Sequence, residues 1–332
     1  MAVDYQYKMH NSANIILYGC GNIGFYHFVG LLNVEKKLNI YLFDKKSSYK
    51  KKFTKYFEDN NKKNNKKIYF LENLDVFPKI DLVIMSTTSK NRSNAIIHLI
   101  NKYCVKYFLI EKVPFQKKNE YLKIINIFKK NKVDGWVNCS RRSWSGYAML
   151  KKKYLTKYNN LTVKGSNWNL TSNSIHFMDL FEFINDNDKI DLLSASFKNN
   201  TFKTKRKEYL NLKGEIIFKN SSDNYLIMEE TIKDREFNIN IENKKYIISI
   251  DQNNQICRIW CKNRKKNIKR LIFKNEFQSS LTTKYVNTFI KNKKINLLNF
   301  EKSFLLNIKL IELFNKKFSI ILNKKIISCP IT

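Results

Sequence analysis

Three glycines near the start of the chain have the spacing of a phosphate-binding turn. Gly19, Gly21 and Gly24 form the pattern G-x-G-x-x-G between an apolar strand-like run and a predicted helix that begins with Asn22 and Ile23. In such a turn the first glycine permits a tight bend, the second lets the backbone approach a pyrophosphate, and the third lets helix and strand pack closely. The N–H groups at the start of the helix then bind the anion. These five residues therefore predict a dinucleotide site.

An acidic residue lies where such a site places the adenosine ribose. Asp44 ends the next apolar run, 20 positions after Gly24, and a carboxylate there accepts hydrogen bonds from the ribose hydroxyls. This arrangement favours NAD as the cofactor. Lys45 and Lys46 follow directly and could instead pair with the 2′-phosphate of NADP, so NADP stays open as the second choice.

The elements that must position this turn alternate between strands and helices. Apolar runs typical of buried parallel strands occupy residues 14–18, 38–44, 67–71, 81–86, 107–110 and 135–139. Amphipathic helical patterns at residues 92–102 and 119–131 separate several of these runs. The alternation predicts right-handed crossovers and a doubly wound parallel sheet. We therefore expect an N-terminal tail at residues 1–13 and a Rossmann dinucleotide-binding domain at residues 14–138.

The second half of the chain has a different pattern. Residues 190–272 consist of successive alternating runs separated by polar turns, which predicts an antiparallel sheet. Helical regions at about 174–184 and 279–317 frame this sheet. We expect residues 139–332 to form an α/β domain with a mostly antiparallel open sheet, and a substrate cleft at its junction with the first domain. A chain of 332 residues is long enough for two such cores.

The charge of the chain is extreme but evenly spread. A formal net charge of +34 would normally indicate nucleic acid or an anionic membrane as a partner. Most of this charge is lysine, scattered beside abundant asparagine and isoleucine, and A/T-rich codons encode all three residues. The densest lysine cluster has no interleaved base-stacking aromatics. We therefore expect neither nucleic acid nor a membrane as a partner.

The cysteines indicate where the protein resides, and one uncharged stretch raises the question of whether the chain crosses a membrane. Six cysteines form no disulfide framework, and no histidine lies with them at zinc spacing, so we predict no metal site. Reduced thiols favour the cytoplasm. Residues 9–34 contain no Lys, Arg, Asp or Glu and are long enough to cross a bilayer. Their four glycines and four asparagines instead indicate a buried strand, turn and helix.

Further motifs give the chain a family resemblance. Glu111-Lys112-Val113-Pro114 ends the fifth strand, Ile175-His176-Phe177-Met178-Asp179 opens a helix in the second half, and Ser86-Thr87-Thr88 ends the fourth strand. With the glycine turn and a late stretch at 278–304, the chain resembles the glucose-fructose oxidoreductase, inositol dehydrogenase and rhizopine-catabolism (Gfo/Idh/MocA) family over nearly its whole length. The resemblance implies an NAD(P)-dependent dehydrogenase or reductase acting on CH–OH groups. It also implies a homodimer or homotetramer formed through the C-terminal sheet.

The resemblance assigns roles to these residues. Ser86, Thr87, Thr88 and Glu111 join the cofactor-binding set, and Lys112 both borders the nicotinamide and hydrogen-bonds the reacting hydroxyl. The hydroxyl proton must leave together with the hydride when a carbinol is oxidised. The Lys112 ammonium would stabilise the developing alkoxide, and His176, the second predicted catalytic residue, would exchange the proton.

The expected substrate is a sugar-like molecule. It is a sugar, a nucleotide-sugar or a related polyhydroxylated acid, as in bacterial surface-glycan biosynthesis. Arg142 and Asn173 are the predicted substrate contacts, although Arg142 could equally form an interdomain salt bridge. The family commonly has an acid four positions before the histidine, where this chain has Ser172. That difference leaves a catalytically silent NAD(P)-binding sensor or scaffold as the alternative. His10, His27 and His98 have no predicted role.

Overall fold

The computed structural model describes residues 12–61, 65–72, 79–186, 189–233, 236–264 and 266–332. The predicted tail lies outside these residues up to position 11, and His10 is among the residues not described. Ser12 and Ala13, which we assigned to the tail, instead begin the first strand because they pair in register with Lys37 and Leu38.

The first sheet is parallel and has the predicted doubly wound topology. Its strands are β1 Ser12–Tyr18, β2 Lys37–Phe43, β3 Lys66–Phe70, β4 Leu82–Met85, β5 Tyr107–Ile110 and β6 Asp134–Val137. They lie in the order β3-β2-β1-β4-β5-β6, and the order reverses between β1 and β4. The crevice at such a reversal, outside the carboxyl ends of the strands, is where this fold binds nucleotides. The helices that cover the sheet are α1 Asn22–Leu32, α2 Lys50–Asn60, α3 Arg92–Tyr103 and α4 Lys118–Asn131.

The second sheet is mostly antiparallel, as predicted. Its strands are β7 Asn160–Ser166, β8 Ile190–Phe197, β11 Gly214–Asn220, β12 Tyr225–Thr231, β13 Asn238–Glu242, β14 Tyr246–Asp251, β15 Ile256–Cys261 and β16 Lys266–Ile272. A separate small hairpin consists of β9 Phe202–Lys203 and β10 Leu210–Asn211. The large sheet has the order β16-β15-β14-β13-β7-β12-β11-β8. Strand β7 was not predicted, and its pairing with β12 is parallel.

Four further helices accompany this sheet. They are α5 Ser145–Lys153, α6 Leu170–Asn185, α7 Gln278–Asn292 and α8 Phe300–Ile321. Helix α7 returns to the first half of the chain and packs on α1. Thr283 Oγ1 donates a hydrogen bond to Gly30 O at 2.8 Å, and a Cβ on Gly30 would collide with the α7 backbone at Ser279. Gly30 therefore permits the close approach of these two helices.

Helix α6 begins earlier than we predicted. We expected it to start near residue 174, but it starts at Leu170, so Ser172 and Asn173 lie in its first turn. The carboxylate of the buried Glu230 accepts a hydrogen bond from Leu170 N. A negative charge at a helix N-terminus stabilises the first turn. Since Glu230 lies on β12, this cap is a long-range contact that local sequence does not reveal.

The structure bears on the predictions about membrane crossing and about assembly through the second sheet. Within the described residues, no helix is both long and apolar enough to cross a membrane. Residues 12–32 of the uncharged stretch form β1, a turn and α1, as predicted. Strand β8 has Leu192 and Leu193 43% and 58% exposed, at one edge of the second sheet. Assembly of a homodimer or homotetramer through this sheet stays a prediction.

Candidate active site

The glycine turn has the geometry that a pyrophosphate site requires. Gly19 has a positive φ of 106°, and a Cβ there would lie 2.6 Å from Thr87 N. A Cβ on Gly24 would collide with Gly19 O, whereas a Cβ on Gly21 would meet nothing within 4 Å. Gly19 and Gly24 are therefore required by packing, and the space beside Gly21 is open to a ligand. Among the described residues, no side chain caps the start of α1, where Asn22 and Ile23 are exposed.

This difference between the glycines makes a testable prediction. Gly21→Ala should lower the free energy of unfolding by no more than about 1 kcal/mol, the usual range for an N-cap substitution. It should still weaken NADH binding about 10-fold or more, because the added methyl group holds the pyrophosphate away from N–H donors that form charged hydrogen bonds. Urea unfolding and NADH fluorescence titration measure the two effects.

The matched control for that variant is Gly24→Ala. Its Cβ meets backbone rather than open space, and such overpacking costs about 1–3 kcal/mol. Both stability and NADH binding should therefore fall. If Gly21→Ala bound NADH as tightly as the unmodified protein, the glycine turn would not hold a pyrophosphate.

Asp44, which follows β2, and Ser86, which follows β4, both form hydrogen bonds with the glycine turn. Asp44 lies just after β2, and its carboxylate accepts hydrogen bonds from Cys20 N at 2.7 Å and Lys46 N at 3.0 Å. Ser86 Oγ lies 2.6 Å from Gly19 O. Thr87 Oγ1 is buried and has no hydrogen-bond partner among the described residues. These predicted cofactor residues surround one turn, with a hydroxyl left unsatisfied.

Glu111 is buried, and a histidine without a predicted role holds it in place. Its Oε1 lies 2.9 Å from His27 Nε2 and also accepts a hydrogen bond from Asn138 Nδ2. His27 Nδ1 lies 2.8 Å from Thr282 Oγ1 on α7. Burial raises the pKa of Glu111, but the hydrogen bonds and charge of His27 outweigh it, so the pKa is lowered overall. Glu111 is therefore a fixed anion just after β5, and His27 links it to α1 and α7.

Arg92 was also missed, although it organises the segment that carries Lys112. Its guanidinium is fully buried and donates to Glu111 O and Thr87 O, to Val113 O at 2.9 Å and to Pro114 O at 3.0 Å. Burial lowers its pKa to about 10. One side chain thus holds the ends of β4 and β5 together. A cation in the first turn of a helix opposes the helix dipole, and this was the signal in the sequence.

Lys112 connects the two halves of the chain at the site. Its ammonium donates to Ser172 O at 3.0 Å and to Asn173 Oδ1 at 2.8 Å, both in the first turn of α6. An ammonium has three donors, so one remains for a substrate oxygen. Burial lowers the pKa of Lys112 to about 8, although the charge of Glu111 acts in the opposite direction. Lys112 can therefore exchange a proton close to neutral pH.

His176 follows on the same helix, one turn after Asn173. Its Nδ1 is buried and has no hydrogen-bond partner among the described residues. Burial lowers its pKa well below the usual value, and the charges of Lys112 and Arg141 act in the same direction. His176 is therefore a neutral imidazole near Lys112. It is not among the residues that line the cavity described below, and its catalytic role stays a prediction.

The two predicted substrate contacts are both used within the protein. Arg142 Nε donates to Asp179 Oδ2 at 2.9 Å, and its Nη2 pairs with Glu182. This is an ion pair within the second half of the chain rather than between the halves, and Arg142 does not line the cavity. Asn173 accepts from Lys112 and donates to Trp168 O at 2.6 Å. Their role as substrate contacts stays a prediction.

A cavity of about 520 Å³ adjoins Lys112. It is lined by Ile23 of the glycine turn, the ends of β4 and β5, the start of α6 and the small hairpin of the second half. The lining residues are Ile23, Ser86, Thr87, Arg92, Glu111, Lys112, Asn167, Asn169, Ser172, Phe202, Lys203, Thr204, Lys205, Arg206, Tyr209, Asn211, Lys213, Glu230 and Thr332. The predicted turn and the predicted lysine therefore share one cavity between the two halves.

The sheet order, the glycine turn and the open second sheet together form the predicted fold, a Rossmann domain followed by an α/β domain with a mostly antiparallel sheet. No family model matches the sequence, and no curated protein sequence matches it. Solved structures do share the fold across the chain. UDP-N-acetylglucosamine 3-dehydrogenase GnnA from Acidithiobacillus ferrooxidans is 10% identical, with 92% of this chain and 97% of that chain covered and a TM-score of 0.68.

Two further structures show how varied the proteins with this fold are. An oxidoreductase from Agrobacterium radiobacter, in complex with NAD+, L-tartaric acid and magnesium, is 11% identical over 90% of this chain and 94% of its own, with a TM-score of 0.66. The transcriptional regulator Gal80p from Kluyveromyces lactis is 12% identical over 95% and 90%, with a TM-score of 0.69. The likeness confirms the predicted fold, which oxidoreductases and a regulator share.

Proposed function

We propose that this protein is an NAD(P)-dependent oxidoreductase that transfers a hydride between the nicotinamide and a carbinol or ketone of a sugar-like substrate. The observation that carries the proposal is that the half-buried Lys112 lines the same cavity as Ile23 of the glycine turn and Thr87. The residues fit a dinucleotide: the space beside Gly21 is open, the start of α1 is uncapped by the described side chains, and Thr87 Oγ1 lacks a partner among the described residues. When bound, the nicotinamide supplies the hydride acceptor or donor.

The residues of this chain supply the proton chemistry. In oxidation the neutral amine of Lys112 accepts the proton of the substrate hydroxyl; in reduction the ammonium donates its third N–H to the substrate oxygen and gives up that proton. Its two hydrogen bonds to α6 orient the amine. His176, kept neutral by burial, is the candidate for passing that proton onward. A screen of NADH and NADPH fluorescence, followed by turnover assays with sugars and sugar nucleotides, tests the proposal; failure to bind either cofactor would contradict it.

The pH dependence of turnover should report Lys112. Because its pKa is about 8, oxidation needs the neutral amine and should accelerate as pH rises through about 8. Reduction needs the ammonium and should slow over the same range. His176 stays neutral throughout because its pKa is far lower. Profiles of kcat/KM from pH 6 to pH 10 in both directions check this, and parallel profiles would exclude Lys112 as the titrating group.

Asp44 should set the cofactor preference. Asp44→Ser removes a carboxylate placed to bind the ribose hydroxyls, and loss of such charged hydrogen bonds should weaken NADH binding about 10-fold. NADPH binding should improve relative to NADH, because a 2′-phosphate no longer meets a negative charge. Fluorescence titrations with both cofactors measure the change. Asp59→Ser, at an exposed position on α2, is the matched control and should change neither affinity.

The finer parts of the proposal concern substrate, setting and assembly. The substrate is a sugar, nucleotide-sugar or polyhydroxylated acid; the likeness to a UDP-sugar dehydrogenase and to an oxidoreductase bound to tartaric acid supports this class. Surface-glycan biosynthesis in the cytoplasm and a homodimer or homotetramer formed through the second sheet complete the proposal. Light scattering of the purified protein tests the assembly.

A sensor without catalysis is the second candidate. It is favoured by Ser172, which contributes a hydroxyl rather than a carboxylate near His176, and by the fold shared with a transcriptional regulator. A sensor would bind NADH or NADPH but turn over none of the sugar-like candidates. In a sensor, substitution of Lys112 or His176 would leave cofactor affinity unchanged, and there would be no turnover to lose. In an enzyme, the same substitutions would lower turnover.

A further inference from the structure

Residues 202–213 form a basic hairpin on the wall of the cavity that contains Lys112. This basic hairpin includes β9, β10 and the turn between them. Four of its side chains that line the cavity are cations: Lys203, Lys205, Arg206 and Lys213. The charge therefore belongs to the proposed active site and not only to the outer surface of a lysine-rich chain.

The carboxylates of the cavity neutralise this charge only in part. Glu111 is held by His27 and Asn138. Glu230 binds Leu170 N and accepts hydrogen bonds from Asn211 at 3.1 Å. Within the described part of the chain, Lys203, Lys205 and Arg206 form no ion pair with a carboxylate. Burial raises the pKa of Glu230 and the charge of Lys213 acts in the opposite direction, so these two groups interact, but the other three cations of the hairpin face the cavity without a paired carboxylate among the described residues.

Lys213 strengthens this observation because it is buried. It is 8% exposed, and among the described residues its ammonium has one hydrogen-bond acceptor, Asn167 Oδ1 at 3.2 Å. It also lies 5.0 Å from the centre of the Phe202 ring. A buried ammonium with unused donors is costly unless it is paired. An anionic ligand in the cavity would satisfy it.

The hairpin is held in place before any ligand binds. Leu210 N donates to Pro330 O at 2.9 Å, and Asn211 Oδ1 accepts from Thr171 N at 3.1 Å. In the turn, Tyr209 N donates to Arg206 O at 3.0 Å. These contacts attach the hairpin to the start of α6 and to the last residues of the chain. The backbone that carries the cations is therefore fixed before an anion binds, and only the side chains have to become ordered.

We propose that the basic hairpin binds a phosphoryl group of the substrate, so that this protein acts on a phosphate-bearing sugar such as a nucleoside diphosphate sugar or a sugar phosphate. The inference rests on the proposed function and narrows its substrate class. Several cations around one cavity suit a group of two or more negative charges better than a single carboxylate, which one arginine can bind in bidentate fashion.

Calorimetric titration of the protein saturated with NAD+ tests this directly, because the pyrophosphate site of the cofactor is then filled. The probes are UDP-N-acetylglucosamine, N-acetylglucosamine 6-phosphate and neutral N-acetylglucosamine. At least one phosphorylated probe should bind about 10-fold or more tightly than the neutral sugar, as expected when charged hydrogen bonds are added. The probe that binds more tightly identifies a diphosphate or a monophosphate as the source of the phosphoryl group.

Variants of the hairpin locate the binding. Arg206→Gln and Lys213→Met should each weaken the phosphorylated probe about 10-fold. Lys207→Gln should change nothing, because Lys207 is the adjacent exposed cation that does not line the cavity. Arg206 is itself exposed, so its variant should fold normally even if Lys213→Met does not.

The outcomes separate this inference from the proposed function. If NADH binds but the neutral sugar binds as tightly as both phosphorylated probes, or if neither phosphorylated probe binds, the phosphoryl site is refuted while the oxidoreductase proposal stands. Equal effects of Arg206→Gln and Lys207→Gln would refute it as well. If NADH fails to bind but the cofactor-free protein still binds a phosphorylated probe in a way that depends on Arg206, the hairpin site survives and the oxidoreductase proposal fails.

Discussion

Lys112→Met is expected to lower kcat/KM about 10²- to 10⁴-fold, the usual contribution of a positioned acid–base group. Methionine keeps much of the length and apolar body of the side chain but cannot donate to the substrate oxygen or exchange a proton. The residual activity should no longer change through pH 8, because the group with a pKa of about 8 is gone. Steady-state kinetics across that pH range are the measurement.

The controls for this experiment separate chemistry from folding. NADH affinity of Lys112→Met should stay within a few-fold of the unmodified protein, since the glycine turn is untouched. Lys117→Met, at an exposed position five residues along the chain, should keep full activity. Activity of Lys112→Met equal to that of Lys117→Met would show that Lys112 takes no part in turnover.

Arg92→Leu is expected to lower the free energy of unfolding by about 3–5 kcal/mol, since each buried acceptor left unsatisfied costs about 1–3 kcal/mol and some relax toward water. Four carbonyl oxygens, those of Thr87, Glu111, Val113 and Pro114, lose their donor. Turnover should fall as well, because the segment that carries Lys112 is then anchored less firmly. Urea unfolding monitored by tryptophan fluorescence gives the stability.

Two variants test whether the geometry of Arg92 matters and not only its charge. Arg92→Lys retains a cation but has one ammonium in place of the planar guanidinium fork. Its free energy of unfolding should therefore lie between that of the unmodified protein and that of Arg92→Leu. Lys90→Ala removes an exposed lysine 4.0 Å from Glu208 and should change stability by less than about 0.5 kcal/mol. A loss below 1 kcal/mol in Arg92→Leu would mean that water replaces the guanidinium without cost.

The strands and the glycine turn could be predicted because their signals are local. Apolar runs that end in a glycine pattern determine β1, the turn and α1 from neighbouring residues alone. Strand β7 was missed for the opposite reason. Its seven residues include Lys164 and Gly165, and their place in the sheet depends on β12 and β13, which lie more than 50 positions further along the chain.

The candidate site divides in the same way. Lys112 was predicted from a short motif and lines the cavity, whereas the residues that hold it in place were not predicted. The position of Arg92 in the first turn of α3 was a signal, but the sequence does not reveal the carbonyl groups that it binds; His27 acts on a carboxylate 84 positions away. The basic hairpin was hidden for another reason: in a chain of 62 lysines and arginines, a functional cation has nothing in its type to distinguish it.

The packing of α7 on α1 means that the cofactor helix belongs to both halves of the chain. Gly30 and His27 on α1 contact α7 directly, although α7 comes more than 240 positions later. A fragment ending at the predicted boundary, residue 138, would leave this helix face bare and deprive His27 of Thr282. We therefore expect that the N-terminal half does not fold stably without α7. A shift of the C-terminal half relative to the N-terminal half would move α1 through α7, and with it the glycine turn.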